Sequence, residues 1–343
     1  MSECGEPNSP LILHCHIPKT AGTTVSAGLR KSFDLFHFQH WHPDPFYILT
    51  PEVLGNLLGM IPTLKSITSH HLRRFPLSIN GRPTFLITFL RKPEDTFISL
   101  LKHVQRNFSS LPEEVRAFWP VDTPRVTLRE LASQYLEQAT ASQDLCPQTR
   151  FLCNAEAAAE FGLSDGNDYG VDSYEMARLI LDEFHFVGIV EEMKKSLEVL
   201  ADRLLQYGVR VYFDLNLKLN TGGGQSRPAW LTPDDEVGRR VLETSRTDHL
   251  LHDEFKKEIL DLHRDLRKRR WLGFKPAAAD LAEEFRCSYR GAARSVIHSA
   301  HLYSSRRAYC PPRPAIPELC SDRLELRAAR AVANRLPAAD LVH

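Results

Sequence analysis

Along this chain a short apolar run is repeatedly followed by apolar residues spaced three or four apart. Leu11, Ile12 and Leu13, with His14, Cys15 and His16 after them, read as a short buried strand. Val25, Leu29, Phe33 and Phe36 then recur at helical spacing. Thr84–Leu90 is almost entirely apolar or β-branched, as expected inside a parallel sheet, and Phe97, Ile98, Leu101 and Val104 carry the helix that follows. Phe186–Val190 predicts another strand, leading into an amphipathic helix with Leu197, Leu200 and Leu204 that runs to about Tyr207. Val209–Phe213 predicts one more strand. Strand followed by helix, repeated, defines the α/β class: a central, mainly parallel sheet flanked by helices.

Other segments fill in this frame. Residues 112–150 read as helical and irregular, with an apolar stripe at Leu128, Leu131, Tyr135 and Leu136. Gly162–Gly170 is a polar loop, a helix follows at about 173–184, and residues 233–268 read as helices at the edge of the domain. Phe36–Pro43 mixes aromatic and polar residues, and two readings stay open for it: the lining of an acceptor cleft, or a loop packed by its own aromatics. Beyond about residue 275 alanine runs, a proline cluster and an excess of arginine set in. This divides the chain into a domain over 1–275 and an extension over 276–343, helical or partly disordered.

The turn between the first strand and its helix carries the chemistry. Ile17-Pro18-Lys19-Thr20-Ala21-Gly22-Thr23-Thr24 brings a lysine, a glycine and three threonines to a strand-to-helix junction. Free backbone N–H groups, the positive end of a helix and hydroxyl donors make an anion site there, most naturally for phosphate. Gly22 is expected to let the backbone come close to the anion. The turn is not a Walker A loop, which places its lysine after the second glycine; here Lys19 precedes Gly22. A second junction follows Leu90: Arg91-Lys92-Pro93-Glu94-Asp95 places an arginine at the carboxyl end of a strand, where open α/β sheets bind ligands. Pro93 suits the first helical position, and Glu94 and Asp95 suit the positive helix end. Ser99 lies eight residues after Arg91, on the helix.

The order Pro-Lys-Thr-x-Gly-Thr-Thr resembles the 5′-phosphosulfate loop of sulfotransferases that use PAPS, 3′-phosphoadenosine 5′-phosphosulfate. It is most similar to the carbohydrate branch that includes the heparan sulfate 2-O- and 6-O-sulfotransferases. Arg91-x-Pro93 with Ser99 is similar to the 3′-phosphate motif of that family. Gln148–Leu152, Phe186–Glu191 and the Asn220–Gly224 loop are weaker echoes, and the likeness covers roughly residues 10–260. The resemblance implies a P-loop-like three-layer fold and PAPS as the donor substrate. It implies a donor site formed by Pro18, Lys19, Thr20, Ala21, Gly22, Thr23, Thr24, Arg91 and Ser99, with no metal. Lys19 would also steady the leaving phosphate, and Arg91 would grip the 3′-phosphate with its fork.

A general base is expected between the two junctions, where the related enzymes place a histidine after a small residue. Ser69-His70-His71 fits, and His70 follows the small residue directly. His71 stays open as the alternative, because the tandem pair blurs the register. His14 and His16 belong to the first strand, where one face is core, and His103 reads as a helix histidine. Arg73 and Arg74 read as a solvated pair that could attract an anionic acceptor.

Bulk composition narrows the partners. Lys plus Arg equals Asp plus Glu at 43 each, so nothing asks for nucleic acid. The start is polar and acidic, and no stretch approaches the roughly 18 apolar residues of a spanning helix. Cytoplasmic placement is therefore expected, unlike the membrane-anchored animal Golgi enzymes. Seven scattered cysteines without Cys-x-x-Cys read as buried free thiols, Cys15 facing the sheet core. The expected acceptor is a hydroxyl on a glycan or glycolipid. Two other classes stay open at the level of sequence. One is a nucleotide-binding interaction protein without transfer activity. The other is an atypical phosphotransferase, which would need Mg²⁺ and acidic ligands near the loop.

Overall fold

The computed structural model describes residues 9–42, 47–73, 75–111, 113–116, 119, 123–138, 147–153, 171–214 and 228–271. Its centre is a mainly parallel sheet flanked by helices. The strands are β1 (Leu11–Cys15), β2 (His37–His40), β3 (Ser66–Ser69), β4 (Ser78–Ile79), β5 (Arg82–Leu90) and β6 (Phe186–Ile189). The parallel strands lie in the order β2-β3-β1-β5-β6, and β4 pairs antiparallel with the start of β5. β1 is central: Leu13 lies opposite Ile67 on one side and Leu86 on the other. All five of its residues are buried, which explains a run with no polar alternation.

The helices are α1 (Gly22–Phe33), α2 (Pro51–Met60), α3 (Pro93–Asn107), α4 (Glu113–Arg116), α5 (Leu128–Gln138), α6 (Pro147–Leu152), α7 (Val171–Asp182), α8 (Met193–Gln206), α9 (Glu236–Thr244) and α10 (Arg246–Trp271). The predicted stripes are buried: Val25, Leu29 and Phe33 on α1, and Phe97, Ile98, Leu101 and Val104 on α3. Phe36 falls beyond the end of α1 and is exposed. α8 and α10 pack on each other and on β6, and Leu251, Phe255, Ile259 and Leu266 of α10 join the main core. A second core gathers the apolar face of α3 with Leu131 and Leu136 of α5 and Val237 and Val241 of α9.

Two sequence expectations change. His37–His40, read as cleft lining or a self-packed loop, is the edge strand β2, parallel to β3. Four residues are too few for a visible period of two, and two of these four are histidines. Val209–Phe213, expected as a strand, pairs with no strand among the described residues. It lies instead against α1, where the Tyr212 N–H donates to Ser32 Oγ at 2.8 Å and the Phe213 ring fills the space beside Gly28. The Gly162–Gly170 and Asn220–Gly224 loops and the 275/276 boundary with its extension lie outside the described residues.

The β2-β3-β1 side of the sheet holds cross-strand pairs of histidine with hydroxyl residues. Register partners bond directly: His37 Nδ1 with Ser66 Oγ at 2.8 Å, His40 Nδ1 with Ser69 Oγ at 2.9 Å, and His14 Nδ1 with Thr68 Oγ1 at 3.2 Å. Ser26 of α1 takes the second nitrogen of His37 at 3.1 Å. These pairs satisfy polar groups that would otherwise be buried without partners.

Burial keeps such imidazoles neutral. It lowers His14 to about 3, and His40 and His185 to about 4. Each folded value lies below the unfolded one, so the stability it contributes is full above about pH 6.5 and is lost as pH falls toward the folded value. Burial raises Asp248 to about 6, and, against burial, the bonds to Glu191 and Asp253 raise His252; both oppose the trend, whereas burial also lowers His16, His70, His71 and His103, which adds to it. Taking the protein from pH 7 to pH 5 should cost about 2 kcal/mol for each of the three histidines. Urea unfolding at the two pH values checks this; an equal or higher midpoint at pH 5 contradicts it.

Candidate active site

The chain leaves β1 and β5 in opposite directions. From β1 it goes toward β2, and from β5 toward β6. Their carboxyl ends therefore open a crevice at a topological switch point, where α/β sheets bind ligands. Lys19 follows β1 and Arg91 follows β5. His70 follows β3, on the other side of β1. Three neighbouring strand ends thus deliver the three predicted groups to one edge of the sheet.

Between β1 and α1 the backbone turns through two left-handed residues that are not glycine, Lys19 at φ 68° and Ala21 at φ 61°. Side chains resist this conformation, so the turn is held from several points. The Thr20 hydroxyl is buried and donates to the Ile17 carbonyl at 2.8 Å. The Arg91 guanidinium donates to the Lys19 carbonyl at 3.1 Å. The Ala21 carbonyl accepts from the N–H groups of Thr24 and Val25. Among the described residues the N–H groups of Lys19, Ala21, Gly22 and Thr23 meet no acceptor. Alternating helical hand and free N–H groups make a cup for an anion.

The predicted donor residues fare differently within this turn. Pro18 and Thr23 are exposed, and Lys19, Ala21 and Thr24 are half-buried. Thr20 serves the turn itself with its hydroxyl rather than offering it outward. Gly22 is called for by a packing contact within the protein. A Cβ there would sit inside the imidazole of His16, so the ring occupies the space that a side chain would take.

That ring belongs to a stack. His16 lies over His70 with centroids 3.9 Å apart and is 5.6 Å from the ring of His14. His70 Nδ1 donates to the His16 carbonyl at 2.7 Å. This bond fixes the tautomer, because a carbonyl only accepts. Nε2 of neutral His70 then carries a lone pair, and among the described residues it has no partner. Burial holds His70 below the ordinary histidine range, against the pull of its bond to His16 and with help from the charges of Arg73 and Lys19. At neutral pH it is a free base.

His71 is built differently. Its Nδ1 donates to the Tyr47 carbonyl at 2.8 Å, and its Nε2 accepts from the His42 N–H at 3.2 Å. Its own N–H donates to Ser69 Oγ. Both ring nitrogens are spent on holding the chain after β2. Arg73 departs from the expected solvated pair: its guanidinium donates to the carbonyls of His70 and Leu72 and lies 3.5 Å from the centre of the Phe151 ring. Arg74 lies outside the described residues.

Cations gather around the crevice. Burial first, then the charges of Arg106 and Arg91, lowers Lys19 from the usual lysine value. His103 is lowered by burial and by the charges of Lys19 and Arg106. Ser99, His103 and Arg106 lie four and three residues apart and so share one face of α3. Among the described residues Lys19, Arg91 and Arg106 form no ion pair with a carboxylate. Positive charge gathered in this way suits an anionic ligand, although the half-buried carboxylate of Asp95 lies within electrostatic reach of Arg91. His103 is satisfied within α3, its Nδ1 accepting from the Asn107 amide at 3.1 Å, as a helix histidine should be; Arg106 was not legible beside Lys19, because only the direction of α3 brings it there.

α10 braces the second junction. The Arg91 N–H donates to Gln148 Oε1 at 2.8 Å, and Gln148 Nε2 donates to the Arg91 carbonyl at 2.7 Å. The Lys92 N–H donates to Glu191, whose other oxygen meets His252 of α10 at 2.9 Å. Buried Glu94 lies 3.3 Å from His249. Glu94, read as a partner of the helix dipole, thus has a tertiary neighbour as well. Cys15 and Cys153 are buried free thiols, pushed up to about 12 by burial, and take no part in nucleophilic chemistry.

No family model matches this chain, and no curated protein matches it. Among the described residues no helix is long and apolar enough to cross a membrane.

Gly22→Ala should cost about 1–3 kcal/mol, the usual penalty for overpacking, because His16 is held between Gly22 and the His70 ring. Urea unfolding measures it; a variant as stable as the parent shows that His16 can move aside freely.

Proposed function

We propose that this protein is a sulfotransferase that moves the sulfuryl group of PAPS to a hydroxyl, in the cytoplasm, with a glycan or glycolipid as acceptor. One observation carries the reading. Among the described residues, a free-base histidine with an unpaired Nε2, a turn with four unpaired N–H groups and an arginine in no ion pair stand on three adjacent strand ends. PAPS carries its activated sulfuryl group on the outer end of its 5′-phosphate and a second phosphate on the 3′ position of the ribose.

The Lys19 turn would hold the 5′-phosphate end and meet the charge that grows on the leaving oxygen, a task for preorganised N–H groups and a cation. Arg91 and Ser99 would hold the 3′-phosphate and set the register. His70 Nε2 would take the proton of the acceptor hydroxyl as its oxygen bonds to sulfur and the bond from sulfur to the 5′-phosphate oxygen breaks. His71 has no free nitrogen for that task. Transfer of labelled sulfate from PAPS across a panel of glycans, glycolipids and phenols tests the reading. Absence of transfer to every acceptor, together with nucleotide binding that does not depend on the 3′-phosphate, rejects it.

His70→Ala should lower turnover by roughly 10²–10⁴ while nucleotide affinity is kept. His71→Ala should lower thermal stability instead, since it removes bonds to Tyr47 and His42. Turnover of the parent should fall on acidification, with an apparent pKa below the ordinary histidine value because burial lowers His70. Single-turnover rates against pH check both points; a crippled His71→Ala beside an active His70→Ala reassigns the base.

Arg91→Ala should weaken binding of adenosine 3′,5′-bisphosphate by about 1.5–3 kcal/mol. Arg91→Lys should recover only part of this, since a lysine lacks the fork. Calorimetry showing parent affinity in both variants removes Arg91 from the site.

A further inference from the structure

The Arg91 main chain is held by one side-chain amide, and a primary amide can be placed either way round with almost no change of shape. Only one orientation serves here. Gln148 Oε1 must face the Arg91 N–H and Nε2 the Arg91 carbonyl. Asp248, in the first turn of α10, sets that choice. Its Oδ2 accepts from Gln148 Nε2 at 3.4 Å and from the Gln148 N–H at 3.1 Å. Its Oδ1 accepts from the Thr149 N–H at 2.8 Å and from the Thr149 hydroxyl at 2.6 Å. Asp248, Gln148 and Thr149 are all fully buried, so no water can substitute for a missing partner.

We propose that Asp248 is a positioning residue for the second anion junction: through the Gln148 amide it fixes the place and direction of the Arg91 main chain. The proposal rests on the reading of Arg91 as a phosphate ligand. A carboxylate suits the role because it only accepts. Four donors converge on it, and the amide nitrogen of Gln148 must then turn toward it. That leaves the second hydrogen of the same nitrogen for the Arg91 carbonyl and the amide oxygen for the Arg91 N–H. The Arg91 guanidinium in turn donates to the Lys19 carbonyl. A carboxylate on α10 thereby governs how the two anion-binding turns stand to each other.

Asp248→Asn keeps the shape and removes the rule. With Asn Oδ1 kept by the two Thr149 donors, its NH₂ faces the Gln148 donors, and the Gln148 amide must flip or move away. Either response leaves the Arg91 N–H without its acceptor. Hydrogen exchange at that amide should become at least about tenfold faster, while the amides of Phe89 and Leu90 within β5 keep their protection. Gln148→Leu leaves the Thr149 bonds of Asp248 in place and should show the same selective loss, which keeps the test usable should Asp248→Asn not fold. In the ligand arm, Asp248→Asn should bind adenosine 3′,5′-bisphosphate about tenfold more weakly and adenosine 5′-monophosphate as the parent does.

Parent-like protection of the Arg91 amide in either variant overturns the proposal. So does an equal loss for both nucleotides, which marks a merely structural carboxylate. Should the parent bind the two nucleotides alike, the phosphate role of Arg91 falls, and the exchange experiment, which needs no ligand, still decides whether Asp248 positions the Arg91 main chain.

Discussion

A single hydrogen bond, from the Arg91 guanidinium to the Lys19 carbonyl, joins the two turns on which the candidate site depends. It exists because Lys19 takes a left-handed backbone, which turns its carbonyl out of the helical path. That conformation costs about 1–2 kcal/mol for a residue with a side chain, and Ala21 adds a second such cost. The bond to Arg91, the Thr20 hydroxyl and the close seat of Gly22 on His16 offset it. Backbone strain of this kind persists only where the surroundings over-determine it. Here the product is a cup of N–H groups that are unpaired among the described residues.

The parallel sheet supplies the rest through its order of strands. With β1 in the centre and the chain departing from β1 and β5 in opposite directions, a crevice opens between their ends without any special loop. β3, on the far side of β1, adds His70. The histidines behind the crevice are more than filling. His14, His37 and His40 pair with hydroxyl residues directly across from them, which locks the register of the short strands. A slip by one position would leave these polar pairs buried without partners. The same layer holds His14 and His40, two of the imidazoles that burial lowers, so the register of these strands and the acid sensitivity expected of the fold share one cause.

Polar contacts of α10 give this helix a part in the candidate site that its sequence does not announce. Asp248, His249 and His252 recur along one face and reach the Arg91–Asp95 turn through Gln148, Glu94 and Glu191. Burying a carboxylate among apolar neighbours is costly unless its lone pairs are filled, and Asp248 has four donors to fill them. The arrangement places stiffness where two loops must keep a fixed distance.

Much of this protein was legible in the chain itself. The apolar runs at 11–13, 84–90 and 186–189 and the helical stripes after them determine a parallel α/β sheet, because strands covered on both faces carry no polar alternation. Lys19, Arg91 and the His70-His71 pair stood out because each sits at the end of an apolar run or between two such ends. Tertiary structure alone decided the rest. His37–His40 is a strand only because β3 offers it an edge. Gly22 is needed because of a ring six residues earlier, brought back by the turn. His70 and His71 are alike in sequence, and only the carbonyl of His16 and the backbone of residues 42 and 47 make one nitrogen free and the other spent. Asp248 is an ordinary helix carboxylate until the fold places it under Gln148, a hundred residues away along the chain. Local pattern determines which segments are buried; which polar atoms meet is set by the packing of distant segments, and that information is not written in any one stretch of the sequence.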